Sequence, residues 1–206
     1  MPEPTTPNGT APGMPKAGFS PHMSPRTIGA LIHEFEEFEP GIAAREYPWA
    51  TRFVMGLPLA PWQREFKWTE EQCRRFINSI WTGLHLGTYV VTELETRTET
   101  NGFQGVEYAF LSNCVIDGQQ RLTALELYVT DRLAVPDSAG TPTLWSEVGI
   151  RDRRRFSNTI FSRGTIRDQD EQRLKSLHDV MNFGGVAHEE HERALRDDAV
   201  IDAPRG

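Results

Sequence analysis

The stretch Tyr108–Arg132, YAFLSNCVIDGQQRLTALELYVTDR, constrains the fold more than any other part of this chain. Apolar residues at Tyr108, Phe110, Leu111, Val115 and Ile116 end at Asp117-Gly118, and Leu122, Leu125, Val129 and Leu133 then recur at helical spacing. The pattern predicts a buried strand, a polar turn and a helix. A helix that starts directly on a turn leaves its first amides without acceptors. Those amides and the helix dipole form an anion site. Gln119, Gln120 and Arg121 fall at that spot. They supply amide donors and acceptors and a permanent cation, a set suited to phosphate with a polar base or sugar. Asp-Gly is also a common turn and Gln-Gln-Arg also suits a solvated first turn, so the pattern alone leaves both readings open.

A chain of 206 residues with 38% hydrophobic content can bury one core of ordinary size and carry polar extensions. No apolar run approaches the roughly 20 residues that span a bilayer, and the N-terminus lacks a basic-then-apolar leader. Cys73 and Cys114 are too few for a disulfide framework and fit a reducing, cytoplasmic setting. A net charge of −7 argues against broad attraction to nucleic acid. One basic cluster stands out, Arg151, Arg153, Arg154, Arg155, Arg163 and Arg167. It suits nucleic-acid phosphate or an acidic partner, and equally a solvated helix face.

Four segments are expected: a disordered Pro/Gly/Thr-rich tail over 1–23, a main domain over 24–135, a helical C-terminal extension over 136–187 and a polar tail over 188–206. Ser24 and Pro25 are expected to start a helix whose apolar face is Ile28, Leu31, Ile32, Phe35 and Phe38, and Pro40-Gly41 to end it. A short strand is expected near Phe53–Leu59, limited by Pro58 and Pro61. In PWQREFKW, Trp62, Phe66 and Trp68 alternate with charges, which fits either a pocket wall or a loop anchoring the next helix. Thr69 and Gln72 make a capping box for that helix, Cys73, Phe76, Ile77, Ile80 and Trp81 its apolar stripe, and Gly83 its stop.

A strand with Val90 and Val91 buried follows. It is joined to the central stretch by a polar loop over 95–106, containing Asn101-Gly102 and placed to overhang the site. Beyond a loop at 135–143, Leu144, Trp145, Val148 and Ile150 are expected to pack on the core. A last helix, over 167–182, uses Leu174, Leu177, Val180 and Met181 and ends at Gly184-Gly185. His188-Glu189-Glu190-His191 has the wrong spacing for the zincin motif, so no metal site is assigned. The sequence also lacks GxxxxGK[ST], a strand-borne GxGxxG and GxSxG.

Ile116-Asp117-Gly118-Gln119-Gln120-Arg121-Leu122-Thr123-Ala124-Leu125 resembles the DGQQR signature of the N-terminal domain of GmrSD-type, modification-dependent restriction systems, a ParB/sulfiredoxin-like family. Trp62–Trp68 resembles that family's aromatic-QR element, Phe76–Gly83 its following helix end, and Leu86–Val91 the strand after it. The resemblance implies a compact α/β (α+β) domain, ParB/sulfiredoxin-like, with a small mixed sheet flanked by helices. It also implies a nucleotide site made by Gln63, Arg64, Asp117, Gly118, Gln119, Gln120 and Arg121. In such systems this domain is thought to bind and hydrolyse nucleoside triphosphates and to couple that to a nuclease domain. No His-Asn-His constellation follows in this chain, so cleavage by it alone is not expected. Glu65 stands where the family often has proline, and Cys114 lies in the strand rather than at the turn.

The leading expectation is a nucleotide-binding, nucleoside-triphosphate-hydrolysing module of a phage-defence or mobile-element system, working with Mg²⁺. Arg121 and the first helical amides would hold phosphates. Gln119 and Gln120 would orient water or read base or sugar. Asp117 would hold Mg²⁺ or fix the turn, and Arg64 would neutralise charge on the transferred phosphoryl group. The alternatives are a DNA-binding or ParB-like nuclease module using Arg151, Arg153, Arg154 and Arg155, and a non-catalytic sensor partnering a separately encoded nuclease.

Overall fold

A computed structural model describes residues 18–100 and 103–183, with the side chains of 95–107 and 182–183 outside the description. Residues 1–17 of the tail expected over 1–23, the tail expected over 188–206, the Asn101-Gly102 turn, the His188–His191 spacing and the Gly184-Gly185 stop all lie outside the described residues, whereas His22 and Met23 at the end of the first tail are ordered by pairing with Thr165 and Gly164. In chain order the elements are β1 (His22–Ser24), α1 (Ile28–Glu36), α2 (Pro40–Glu46), β2 (Phe53–Val54), β3 (Leu57–Pro58), α3 (Glu70–Trp81), β4 (Thr88–Thr92), β5 (Glu95–Thr100), β6 (Phe103–Tyr108), β7 (Val115–Asp117), α4 (Gln119–Val129), β8 (Val135–Pro136), β9 (Pro142–Thr143), α5 (Ile150–Ser157), β10 (Ser162–Ile166) and α6 (Glu171–Phe183). Four strands form a mixed sheet in the order β1-β10-β4-β7. β10 runs parallel to β4, and the two outer pairs are antiparallel.

Strand alternation explains why helices cover both faces of this sheet. Successive side chains of a strand point to opposite faces. In β4, Tyr89 and Val91 join the core built on α1, α3, α4 and α5, with Ile28, Leu31, Ile77, Leu122, Leu125, Tyr128 and Phe156. Val90, between them, joins a second core with Ile116, Ile166, Leu174 and Leu177 under α6. β7 divides in the same way, Val115 to the first core and Ile116 to the second. The result is an α/β fold with a small mixed sheet flanked by helices.

Several expected boundaries move. Ser24 lies in β1, and the cap of α1 is Thr27, whose hydroxyl accepts from the Ala30 amide at 3.2 Å. Pairing of Ser24 with Arg163 draws it into the sheet and displaces the helix start. Pro40 opens α2 instead of ending a helix, consistent with proline at a first helical position, where no amide is needed. The polar loop over 95–106 is a hairpin, β5 paired with β6 from Glu95↔Tyr108 to Thr100↔Phe103. Residues 135–143 form another, β8 with β9. β2 and β3 turn through Met55 and Gly56, both at positive φ. Glu126 holds that turn by accepting from the Met55 amide at 2.7 Å.

Residues 136–187, read as a helical extension, contribute β10 to the interior of the sheet, and α6 covers its second face. The polarity of SRGTI conceals a strand whose neighbours on both sides satisfy its backbone. Val180 and Met181 are exposed rather than part of the apolar face of α6. The α3 capping box is formed as expected, Thr69 and Gln72 exchanging bonds at 2.8 and 3.2 Å.

Two measurements follow from this packing. Leu174→Ala, at a fully buried position, is expected to cost about 2–5 kcal/mol in urea unfolding, as in any packed core. A loss below about 0.5 kcal/mol, the range of surface substitutions, would make α6 a loosely attached appendage. Cys73 and Cys114 are buried free thiols, and burial pushes both up in pKa, away from the reactive thiolate. Ellman's reagent at neutral pH is therefore expected to titrate neither in the folded protein and both in guanidinium.

Candidate functional site

The site lies where the β7–α4 turn meets the loop before α3. Gly118 is the N-cap of α4 with φ +101, and no side chain caps the helix. A Cβ at Gly118 would sit 2.6 Å from Tyr89 Cβ. Glycine is thus required twice over, by the backbone conformation and by the contact with β4. The uncapped first turn faces a cavity of about 200 Å³. Its walls are Gln63, Arg64 and Trp68 from the loop, Ile116 to Arg121 from the turn, and His178 from α6. All seven residues expected at the site are therefore gathered in one place.

Each polar side chain there is oriented by specific bonds. Gln63 is 5% exposed, and its Nε2 donates to the carbonyls of Val115 at 3.1 Å and Ile116 at 2.9 Å. Both amide hydrogens are thereby used, and Oε1 is the remaining polar atom. Gln120 Oε1 accepts from the amides of Lys67 and Trp68 at 2.9 and 3.0 Å, joining α4 to the loop. Its Nε2 and the Oε1 of Gln119 are buried without partners among the described residues. Such groups normally find a hydrogen bond, and their desolvation costs about 1–3 kcal/mol each when they do not. Together they offer a ligand one donor and one acceptor.

The charges are arranged less simply than the sequence implies. Arg121 is paired with Asp117 at 2.7 Å, donates to the Leu86 carbonyl at 3.2 Å and lies 5.8 Å over the Phe161 ring. It is held, and its cation already has a counter-ion. Arg64 is exposed at the cavity rim.

Three contributors were missed from sequence. Arg52 donates to the backbone carbonyls of Gln63 and Arg64 and pairs with Glu65 at 3.3 Å. It clamps the loop at the position where Glu65 departs from the family pattern. Glu126 fixes the β2–β3 turn. His178 Nδ1 lies 2.8 Å from the Ile116 carbonyl. The signal for His178 was its place in the periodicity, one residue after Leu177 and four after Leu174 on the buried face of α6.

The aromatic wall is partial. Trp68 lines the cavity, whereas Trp62 packs on the second core beneath Lys175, and Phe66 packs on the first. The arginine cluster is divided among other tasks. Arg153 donates to the Val148 carbonyl at 2.8 Å and to the Ser146 carbonyl, Arg155 pairs with Asp152 and lies over Trp81, and Arg167 pairs with Glu93. Arg151 and Arg154 are exposed on α5. A larger cavity of about 520 Å³ between α3, α5 and the β8–β9 hairpin includes Arg155 but none of the residues expected at the nucleotide site. No group of three or more His, Cys, Asp or Glu among the described residues is placed to hold a metal ion. No helix among them is long and apolar enough to cross a membrane.

Fold and site define a class: a mixed-sheet α/β domain with a glutamine- and arginine-lined cavity at an uncapped helix N-terminus. The family model described as the GmrSD restriction endonuclease N-terminal domain matches residues 56–198. That is more than half of the chain, and the chain belongs to this family, making it a module of the restriction-system kind. No curated protein matches it, and no solved structure does.

Gly118→Ala is expected to destabilise the fold by about 1–3 kcal/mol, as strained left-handed backbone does, and to disorder the turn. Thermal melting with a near-ultraviolet circular dichroism spectrum checks this, and a wild-type melting curve would contradict it. Gln63→Leu, which removes the amide donor from the Val115 carbonyl and leaves the Ile116 carbonyl to His178 alone, is expected to cost about 1–3 kcal/mol in urea unfolding.

Proposed function

We propose that this chain binds a nucleoside triphosphate with Mg²⁺ at the β7–α4 turn and hydrolyses it, as the nucleotide-handling module of a restriction or phage-defence system. The observation that carries the reading is the shared cavity. One uncapped helix N-terminus, one rim arginine and Gln119 and Gln120, each with a buried polar atom lacking a partner among the described residues, line the same space. Helix amides and Arg64 suit phosphate oxygens. The Gln119 acceptor and Gln120 donor suit a base or sugar edge.

Among the described residues, Asp117 is the one carboxylate lining the cavity. That fits a magnesium ion carried mainly by the nucleotide's own oxygens, with one or two protein carboxylates completing its shell. The ion would supply neutralisation of phosphate charge. Engagement of Asp117 with a cation would release Arg121 towards the phosphates, so the 2.7 Å pair is a resting arrangement of two site residues.

Calorimetry with ATP, GTP, CTP and UTP in the presence of Mg²⁺, followed by phosphate release from any binder, tests the reading. Arg121→Ala and Gln120→Ala are expected to weaken binding by about 10–100-fold, the loss of a charge-assisted or buried hydrogen bond. Arg64→Ala is expected to slow turnover more than it weakens binding. Unchanged affinity in both Arg121→Ala and Gln120→Ala would overturn the site. Tight binding without phosphate release would leave a sensor in place of an enzyme. No nucleotide binding, with DNA affinity falling steeply in salt, would favour the nucleic-acid alternative.

A further inference from the structure

We propose that Gly87, in the loop between α3 and β4, is a positioning residue of the site: the space left by its missing side chain is where the Arg121 guanidinium is held. The proposal rests on the nucleotide reading above and gives a role to a segment outside the DGQQR and QREFKW runs. Gly87 adopts φ +72, and a Cβ built there would lie 2.5 Å from Arg121 Nη1. No side chain larger than hydrogen fits unless that nitrogen moves. The neighbouring backbone fixes the arrangement. Arg121 Nη1 donates to the Leu86 carbonyl at 3.2 Å, and Leu86 is itself buried in the first core. His85 Nδ1 accepts from the Gly87 amide at 3.1 Å.

The loop completes a frame around the guanidinium. Asp117 takes Nη2 at 2.7 Å, the Leu86 carbonyl takes Nη1, and the Phe161 ring lies 5.8 Å from Cζ. Phe161 in turn packs at 4.9 Å against Tyr89, two residues after Gly87. Tyr89 is also the residue for which Gly118 makes room. Two glycines thus interlock the two segments, Gly118 admitting Tyr89 and Gly87 admitting Arg121. A long side chain loses freedom when it engages a ligand, and fixing it beforehand spares affinity that cost. When Asp117 turns to a cation, the Leu86 carbonyl and the space at Gly87 remain, and they keep the guanidinium beside the turn.

Gly83, in the same loop, supplies a control. It has the same φ of +72, but among the described residues no atom beyond its chain neighbours lies within 4 Å of a Cβ placed there. Alanine at either position carries the strain of left-handed backbone. Only at Gly87 does it also displace Arg121. Nη1 is the end of a flexible side chain, so Arg121 yields to the new Cβ rather than the fold.

Gly87→Ala and Gly83→Ala are expected to lose similar stability in urea unfolding. Calorimetry then uses whichever of Mg-ATP, Mg-GTP, Mg-CTP or Mg-UTP the wild type binds. Gly87→Ala is expected to weaken affinity by about 2–10-fold, the cost of ordering one long side chain, and Gly83→Ala to leave it unchanged. In an Arg121→Ala background, Gly87→Ala should weaken binding no further, because the two act as one unit. Wild-type affinity in Gly87→Ala, an equal loss in Gly83→Ala or a fully additive double variant would overturn the role of Gly87 and leave the nucleotide reading standing. Failure of the wild type to bind any of the four nucleotides would overturn both. Side-chain ¹H–¹⁵N spectra of the wild-type arginines, with Arg121 assigned through Arg121→Ala, add a measurement that does not depend on how Gly87→Ala folds. Separate, slowly exchanging Nη signals are expected for Arg121 without ligand, and a freely rotating guanidinium would overturn the proposal.

Discussion

The carbonyl of Ile116 is the point on which the site depends. β7 is the last strand of the sheet, with β4 on one side and, on the other, a single parallel bridge from Val115 to Leu59. An edge strand must satisfy its remaining backbone groups by some other means. Here side chains do it: Gln63 Nε2 and His178 Nδ1 both reach the Ile116 carbonyl, and Gln63 also reaches that of Val115. The residues that finish the sheet edge are therefore also residues of the cavity. Loop, strand and α6 are held in mutual register by two side chains at one carbonyl oxygen.

The same economy appears at the turn. Asp117, Gly118 and Arg121 each serve the fold and the cavity at once. Asp117 and Arg121 pair across the first turn of α4, Arg121 reaches back to Leu86, and Gly118 lets β4 approach through Tyr89. Gln120 binds the loop amides through its oxygen and leaves its NH₂ buried without a partner among the described residues. Amide side chains suit this double use because they carry a donor and an acceptor at opposite corners. A carboxylate or an ammonium could serve only one side.

The hairpin β2–β3 and the clamp by Arg52 show how the loop is kept in place without regular structure. Arg52 takes two successive backbone carbonyls and the Glu65 carboxylate, a fork geometry that guanidinium supplies and lysine does not. Glu65 thus has a structural partner. On the far face, Thr92 fastens the segment after β6 by accepting from the Cys114 amide at 2.9 Å and donating to the Leu111 carbonyl. Leu111 and Asn113 adopt positive φ there, so side-chain bonds and burial hold a segment that the backbone alone disfavours.

What the sequence determined by itself was local. The turn at Asp117-Gly118, the helix after it, the Thr69–Gln72 capping box and the buried Val90-Val91 pair are written in periodicity and capping, which act over a few residues. Residues of the DGQQR and QREFKW motifs, each a local run, line one cavity. Only the tertiary structure decided which distant segments complete the site. β10 is short and, but for Ile166, without large apolar residues, and it is a strand because β1 and β4 flank it. The pairing of Arg121 with Asp117 is an i,i+4 contact within one helical turn, whereas the clamp from Arg52, 11 residues from Gln63, and the arrival of His178, 62 residues from Ile116, depend on contacts that no spacing rule encodes. Local order is dictated by neighbours in sequence, whereas the cavity is dictated by where an edge strand's unpaired carbonyls find their donors.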